Sequence, residues 1–287
     1  MSSSAGNVLG VCFSGNSIYY AIAEEPGSNR LAYIGRTELH FTVLDAIKPG
    51  ETELQTYIFR IIDRLRTKYD AEVVRMLTFC QFECWTTLPK LAYDDRGERE
   101  AHLRYLTNGQ SRDKTETYWF DLSNRDYRFL TIRNRELMKI YEQFAKSISG
   151  VDFCSDFEIG LQWVQHSGAK GSFMTLACNP HTVSVASYLL GKLRAATWLR
   201  YREKEDIPFA WKQSETHMKW MKGYHEEIVL YGSKTGRVAD LLRPFWDGSA
   251  DIVKMNSLEL MKVEAEEKTY SFPLEEAFPA IMMAIQP

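Results

Sequence analysis

With 287 residues, 45% of them hydrophobic and 25% charged, the chain is long enough for one large or two medium cores and has an ordinary globular composition. A formal net charge of -3 excludes the basic balance of an electrostatic nucleic-acid binder, and five cysteines without CxxC spacing exclude a disulfide framework and fit a reducing cytoplasm. Met1–Asn7 has no basic region and Phe278–Ile285, the longest late apolar run, is far below spanning length, so neither a signal segment nor a membrane span is expected.

The opening run Val8–Glu25 reads as strand, tight turn and strand. Val8, Leu9, Val11 and Phe13 form the first strand, Ser14-Gly15-Asn16-Ser17 has strong turn chemistry, and Ile18–Ala23 forms the second. After a turn at Pro26-Gly27-Ser28-Asn29, Arg30–Phe41 predicts a third strand, completing an antiparallel meander. Glu51–Asp70, behind a loop at Pro49-Gly50, predicts a helix, because Leu54, Tyr57, Ile58, Ile61, Ile62 and Leu65 recur at the spacing of one buried face. Val73–Phe79 is then a strand reached by crossover, and so parallel to the first. Next come a short strand at Cys84–Pro89, a charged helix at Tyr93–Leu106 and a polar loop at Asn108–Glu116. Tyr118–Leu122 and Tyr127–Ile132 predict a hairpin around Ser123-Asn124-Arg125-Asp126. Arg133–Ile148 predicts an amphipathic helix, Val151–Phe153 a strand, and Phe157–Val164 a helix before the loop His166–Gly171.

The opening pattern then recurs. Phe173–Leu190 reads as a second hairpin bent at Asn179-Pro180-His181, and Lys192–Tyr201 as its third strand. A helix over about Asp206–Lys222, a strand at Glu226–Tyr231, a glycine-bounded loop at Gly232–Gly236, a helix at Arg237–Phe245 and a strand at Asp251–Met255 follow, and Glu275–Ile285 closes the chain as an apolar helix. The fold class is therefore α/β: two halves around a cleft, residues 1–82 with 133–171 and residues 172–287, and a small inserted α+β unit at 83–132.

This order, with GVCFSGNS near the start, TLACNPHT in the middle and VLYGSKTG late, resembles the actin-like ATPase superfamily, which has ribonuclease-H-like halves. Within it the chain looks most like the PilM and GspL-type cytoplasmic proteins of pilus and type II secretion assembly. The resemblance implies that the two hairpin turns cradle phosphates with backbone N–H groups, that an aspartate at the end of each first strand organises Mg²⁺, and that a late glycine-rich loop holds the adenosine. Here Cys12 stands at the first aspartate position and Ser14 at the following glycine, while Gly15 and Ser17 remain. Cys178 is matched to the second aspartate, and Pro180 has no N–H to offer a phosphate. The resemblance thus implies a degenerate, non-hydrolysing member. Its residual nucleotide cleft would comprise Ser14, Gly15, Asn16, Ser17, His181, Gly232, Ser233, Lys234 and Gly236, with no catalytic and no metal-ligating residue.

Cys12 and Cys178 would face one another across the cleft, either as a thiol pair or as small apolar filler. His181 with Lys234 would suit a phosphate. The other histidines lack zinc spacing. Glu24, Glu25 and Glu83 raise a two-metal nuclease, which fails for want of a carboxylate at Cys12. Trp198, Trp211, Trp220 and Trp246 offer either a peptide surface or a core, and Arg202–Asp206 and Glu264–Lys268 read as solvated faces. The expectation is a cytoplasmic, non-catalytic scaffold or adaptor for a cell-envelope assembly. It would need no cofactor and would bind a short segment of a membrane-anchored protein partner, with no nucleic acid. The alternative is an ATP-binding enzyme, ATPase or small-molecule kinase, using ATP with Mg.

Overall fold

The opening run folds into β1 (Asn7–Ser14) and β2 (Ser17–Ala23), paired antiparallel from Val8↔Ala23 to Ser14↔Ser17. The computed structural model describes residues 6–48, 50–107, 114–122, 126–148, 150–246, 248, 250–266 and 269–287. The turn residue Pro49, most of the Asn108–Glu116 loop, the Ser123-Asn124-Arg125 turn and the end of the Glu264–Lys268 run lie outside these.

β3 (Arg30–Glu38) completes the meander, and a helical turn α1 (Val43–Ala46) leads to α2 (Thr52–Lys68). α2 lays Ile58, Ile62 and Leu65 on the sheet and returns the chain to β4 (Ala71–Leu77), parallel to β1 as the crossover requires. β5 (Glu83–Pro89), α3 (Lys90–Asp94), α4 (Arg96–Leu106), β6 (Thr115–Asp121) and β7 (Tyr127–Asn134) follow. α5 (Arg135–Ser147), β8 (Val151–Cys154) and α6 (Asp156–Ser167) complete this portion. β9 (Ser172–Cys178), β10 (Thr182–Leu189) and β11 (Lys192–Arg200) form the second meander. α7 (Ile207–His217), β12 (Glu227–Gly232), α8 (Thr235–Leu242), β13 (Asp251–Lys254), α9 (Leu258–Met261), β14 (Glu264–Ala265) and α10 (Leu274–Ile285) end the chain.

The strand orders are β14-β3-β2-β1-β4-β8, β11-β10-β9-β12-β13 and β5-β7-β6. Without β14, the first two repeat one topology, which is the duplication legible in the sequence. Strand alternation sends side chains to two cores in each sheet. Leu9, Val11 and Phe13 meet α2 and α5 on an outer face, while Met174, Leu176 and Val185 meet α7 and α8 on the other outer face. Between the sheets lie α6 and α10, in a shared core with Tyr19, Ile34, Phe173 and Tyr188. α10 is buried from Ala277 to Ile285. It approaches β1 so closely that a Cβ on Gly10 would lie 2.0 Å from the Ala280 carbonyl oxygen, so only glycine fits there.

Three expectations change. The helix over 93–106 is interrupted at Asp95, whose extended backbone and carboxylate cap α4 through the Glu98 N–H at 2.8 Å. The helix over 206–222 stops at Met218 (φ -111°, ψ 74°) and continues as a single 3₁₀ turn. The charged run from Glu264 opens as β14, where the backbone pairs with β3 while the Glu264 side chain stays exposed.

The three sheets meet at Glu83. Its carboxylate accepts from Trp85 Nε1 at 2.7 Å, Arg133 Nε at 2.8 Å and Ser155 Oγ at 2.8 Å, with the Thr78 hydroxyl 3.1 Å away. The Glu83 carbonyl accepts from Trp198 Nε1 of β11 at 2.9 Å. Replacing Glu83 by Ala would strand the half-buried Arg133 charge and should lower unfolding stability by about 3–5 kcal/mol. Urea denaturation of the purified variant measures this, and a loss within about 0.5 kcal/mol, as for an ordinary surface site, would show that the network is not structural.

Candidate functional site

The cleft lies where the two hairpin turns approach. Among the described residues, cavities of about 30 Å³ and about 10 Å³ lie there, the first with room for one or two waters. The larger is lined by Gly15, Phe79, Cys80, Asp156, His181 and Thr182, among others. The smaller brings Cys12, Ser14, Ala177, Asn179, Gly232 and Glu276 together. Of the residues expected in a nucleotide cleft, Ser14 and Gly232 share the smaller cavity and Gly15 and His181 the larger. Asn16, Ser17, Ser233, Lys234 and Gly236 line neither.

Local hydrogen bonding explains why the turns are tight. In the first, the Gly15 carbonyl accepts from Val43 N–H at 2.9 Å, and the Asn16 carbonyl from Leu39 N–H at 2.7 Å. In the second, Asn179 N–H donates to the Thr182 carbonyl at 2.9 Å, and the Tyr201 hydroxyl donates to the Asn179 carbonyl. The glycine loop is closed as well. Ser233 N–H donates to the Cys178 carbonyl at 2.6 Å. Gly232 has φ +94° with its missing Cβ only 2.3 Å from that oxygen, a position closed to any other residue. α8 begins at Thr235, so Gly236 is helical, and Lys234 is exposed in the left-handed region at φ +56°. Lys234 and His181 line no common cavity.

Cys12 and Cys178 do not face one another. Cys12 turns into the shared inner core, where its thiol donates to the Glu276 carbonyl at 3.4 Å, whereas Cys178 turns into the outer core with Trp211. Strand parity makes Ala177 the inner-facing counterpart of Cys12. The sequence match was thus one residue out of phase, and the corrected position again holds no carboxylate. Burial pushes the Cys12 thiol well up and that of Cys178 up to about 12, so both are neutral space-filling groups. All five cysteines are free. Glu24 and Glu25 are exposed while Glu83 is committed to its network, so no nuclease-like cluster forms. Among the described residues no group of His, Cys, Asp or Glu is arranged to hold a metal.

One residue of the cleft escaped the sequence reading. Asp156, the first residue of α6, lines both cavities at 2% exposure. Its Oδ2 accepts from Ser184 Oγ at 2.9 Å and Asn179 Nδ2 at 3.1 Å, while Oδ1 has no partner among the described residues. In the sequence, Ser155-Asp156-Phe157-Glu158 looks like any acidic helix start. Burial raises its pKa from the ordinary 3.8 to about 6, against the pull of the Ser184 and Asn179 hydrogen bonds and with a further push from Glu83.

No protein-family model and no curated protein matches the sequence. Solved structures do match. A type IV pilus biogenesis complex, PilM–PilN, contains a chain similar at 11% identity and TM-score 0.65 over 97% of both chains. A Bacteroides thetaiotaomicron protein with an actin-like ATPase fold and unknown function is similar at 13% identity and TM-score 0.53, over 91% of this chain and 97% of that one. The chain has the actin-like ATPase fold. The sequence resemblance assigned the metal-organising aspartates to the ends of the first strand of each meander, and there β1 and β9 place Cys12 and Ala177 against the smaller cavity. No helix among the described residues is long and apolar enough to cross a membrane.

The raised pKa of Asp156 makes a signed prediction. A carboxyl that binds its proton more tightly when folded costs stability wherever it must ionise: the cost is absent below about pH 4, grows to about pH 6 and is full above that. The gap between 3.8 and about 6 corresponds to on the order of 3 kcal/mol. Asp156→Asn should therefore melt above wild type at about pH 8, with an advantage that shrinks below about pH 6 and is nearly gone by about pH 3.5. A melting difference independent of pH would assign the effect to packing instead.

Proposed function

We propose that the protein is a non-catalytic scaffold on an actin-like fold, working in the cytoplasm and holding a protein partner of a cell-envelope assembly such as a pilus or secretion system. The observation that carries this reading is the filled cleft. Its cavities of about 30 and about 10 Å³ compare with the several hundred Å³ usual for a small-molecule site, and no carboxylate stands at the ends of β1 and β9. A Mg²⁺-nucleotide needs both space and hard oxygen ligands. Of the carboxylates there, Glu276 accepts from the Tyr19 hydroxyl at 2.8 Å, and Asp156 spends one oxygen on the second turn through Asn179 and Ser184 while its other is enclosed in cavities far too small for a nucleotide. The envelope role draws on the likeness to the PilM–PilN complex, in which a protein of this fold is found with its partner in type IV pilus biogenesis.

Thermal melting with Mg²⁺-ATP tests the reading. A ligand bound to the folded state at about a hundredfold over its Kd adds roughly 2.7 kcal/mol of stability, a shift of several degrees for a chain of this size. The melting temperature should not move at millimolar ATP. A saturable increase would replace the scaffold with a nucleotide-binding enzyme.

A further inference from the structure

β5 and β11 are both edge strands, and they lie side by side without a hydrogen-bond ladder between them. At one end they are closed by the bond from Trp198 Nε1 to the Glu83 carbonyl. Beyond it, at Thr86-Thr87 on one side and Arg194–Ala196 on the other, they border an open groove of about 620 Å³. β5 pairs only with β7, and β11 only with β10, so the outward N–H and C=O groups of both strands have no backbone partner along the groove among the described residues. Unpaired strand edges of this kind are templates for another extended chain.

Among the described residues that line the groove the charged side chains are Arg194 and Lys219, with His217 beside them, and none is a carboxylate. Arg194 Nε is buried without a hydrogen-bond partner, and neither Arg194 nor Lys219 forms an ion pair among the described residues. Trp85, Ala196 and Trp220 also line it and supply apolar surface. A buried guanidinium nitrogen without an acceptor is costly unless an acceptor arrives.

We propose that this groove docks an extended acidic segment of a partner protein, which adds a strand against β5 or β11 and places carboxylates on Arg194 and Lys219. The proposal rests on the scaffold reading and names where and what that scaffold binds. Backbone pairing supplies affinity, and alternation of the segment sends acidic side chains to the cationic wall and apolar ones to the tryptophans. A nucleic acid would satisfy the cations but not the two unpaired strand edges.

The probe is an acetylated, amidated heptapeptide of alternating Glu and Val, with its Lys/Val counterpart as control, titrated into the full chain while tryptophan emission is followed. The Glu peptide should give saturable binding and the Lys peptide none. Lys219 is exposed, so Lys219→Glu should fold normally and weaken binding at least about tenfold; Arg194→Gln should also weaken it, as should salt at about 0.5 M. Three outcomes would overturn the proposal: no saturable binding at millimolar peptide, equal binding of the two peptides, or affinity unchanged in Lys219→Glu. Concentration-dependent self-association that is abolished by Lys219→Glu would give the groove to a second copy, and tighter binding of an oligonucleotide than of the Glu peptide would give it to nucleic acid. Each of these also overturns it. The nucleotide melting experiment reads the cleft separately, so failure of the groove and failure of the scaffold reading are distinguishable.

Discussion

The carboxylate of Glu83 is the point on which the arrangement of the three sheets depends. It begins β5, so it carries the three-stranded sheet; it accepts from Ser155 at the start of α6, and so carries the layer between the two large sheets. Its carbonyl takes the indole N–H of Trp198 from the five-stranded sheet. A fully buried carboxylate is tolerable only when its oxygens are occupied, and here Trp85, Arg133 and Ser155 occupy them at 2.7–2.8 Å. Such a network stabilises less than its bond count suggests, because desolvation offsets most of the attraction. Its consequence is geometric: only one mutual placement of the sheets satisfies every member.

α10 imposes the second constraint. It lies between the large sheets with its whole length from Ala277 buried, close against β1 at Gly10. Its C-terminal carbonyls at Met283 and Gln286 accept from Arg75 at 3.0 and 2.6 Å, and the Gln286 side chain accepts from Gln162 of α6 at 2.8 Å. Near its other end, Glu276 accepts from Tyr19, and Thr235 of α8 donates to Glu275 at 3.4 Å. One helix is therefore fastened to both sheets and to α6. Separating the two large sheets would expose much of that apolar surface, so their packing on α10 resists it.

Much of this was legible in the sequence. The two meanders, their crossover helices and the parallel return strands follow from period-two and period-3.6 patterning with glycine and proline punctuation, as at Ser14-Gly15-Asn16-Ser17 and Leu54–Leu65. What escaped reading was decided by contacts far apart in the chain. Cys178 carries the same side chain as Cys12, yet only pairing with β10 and β12 shows that it faces the opposite way and that Ala177 is the counterpart. Asp156 looks like a helix-start acid, and its burial depends on Ser184 and Asn179 from the other sheet. Glu83 could be noticed as a carboxylate after a strand, but its partners at Arg133, Ser155 and Trp198 lie 50, 72 and 115 residues away. Strand parity is cheap to read within one segment, whereas register between segments is not.

Taken together, the two constraints say where function can reside. A cleft that works on nucleotides must open, admit phosphates to backbone N–H groups and offer carboxylates to a metal. Here Cys12 and Ala177 stand where those carboxylates would be, the turn carbonyls are tied to neighbouring segments, and Asp156 keeps an unpaired oxygen in a cavity of about 30 Å³. A buried polar atom left without a partner in an otherwise satisfied interior is a cost that packing alone does not explain. The proton that its raised pKa favours removes the buried charge but not the want of a partner, so at mildly acidic pH Asp156 is a neutral hydrogen-bonding element of the cleft. In the scaffold we propose, the cleft acts as an interior and the engagement of a partner falls to the open strand edges.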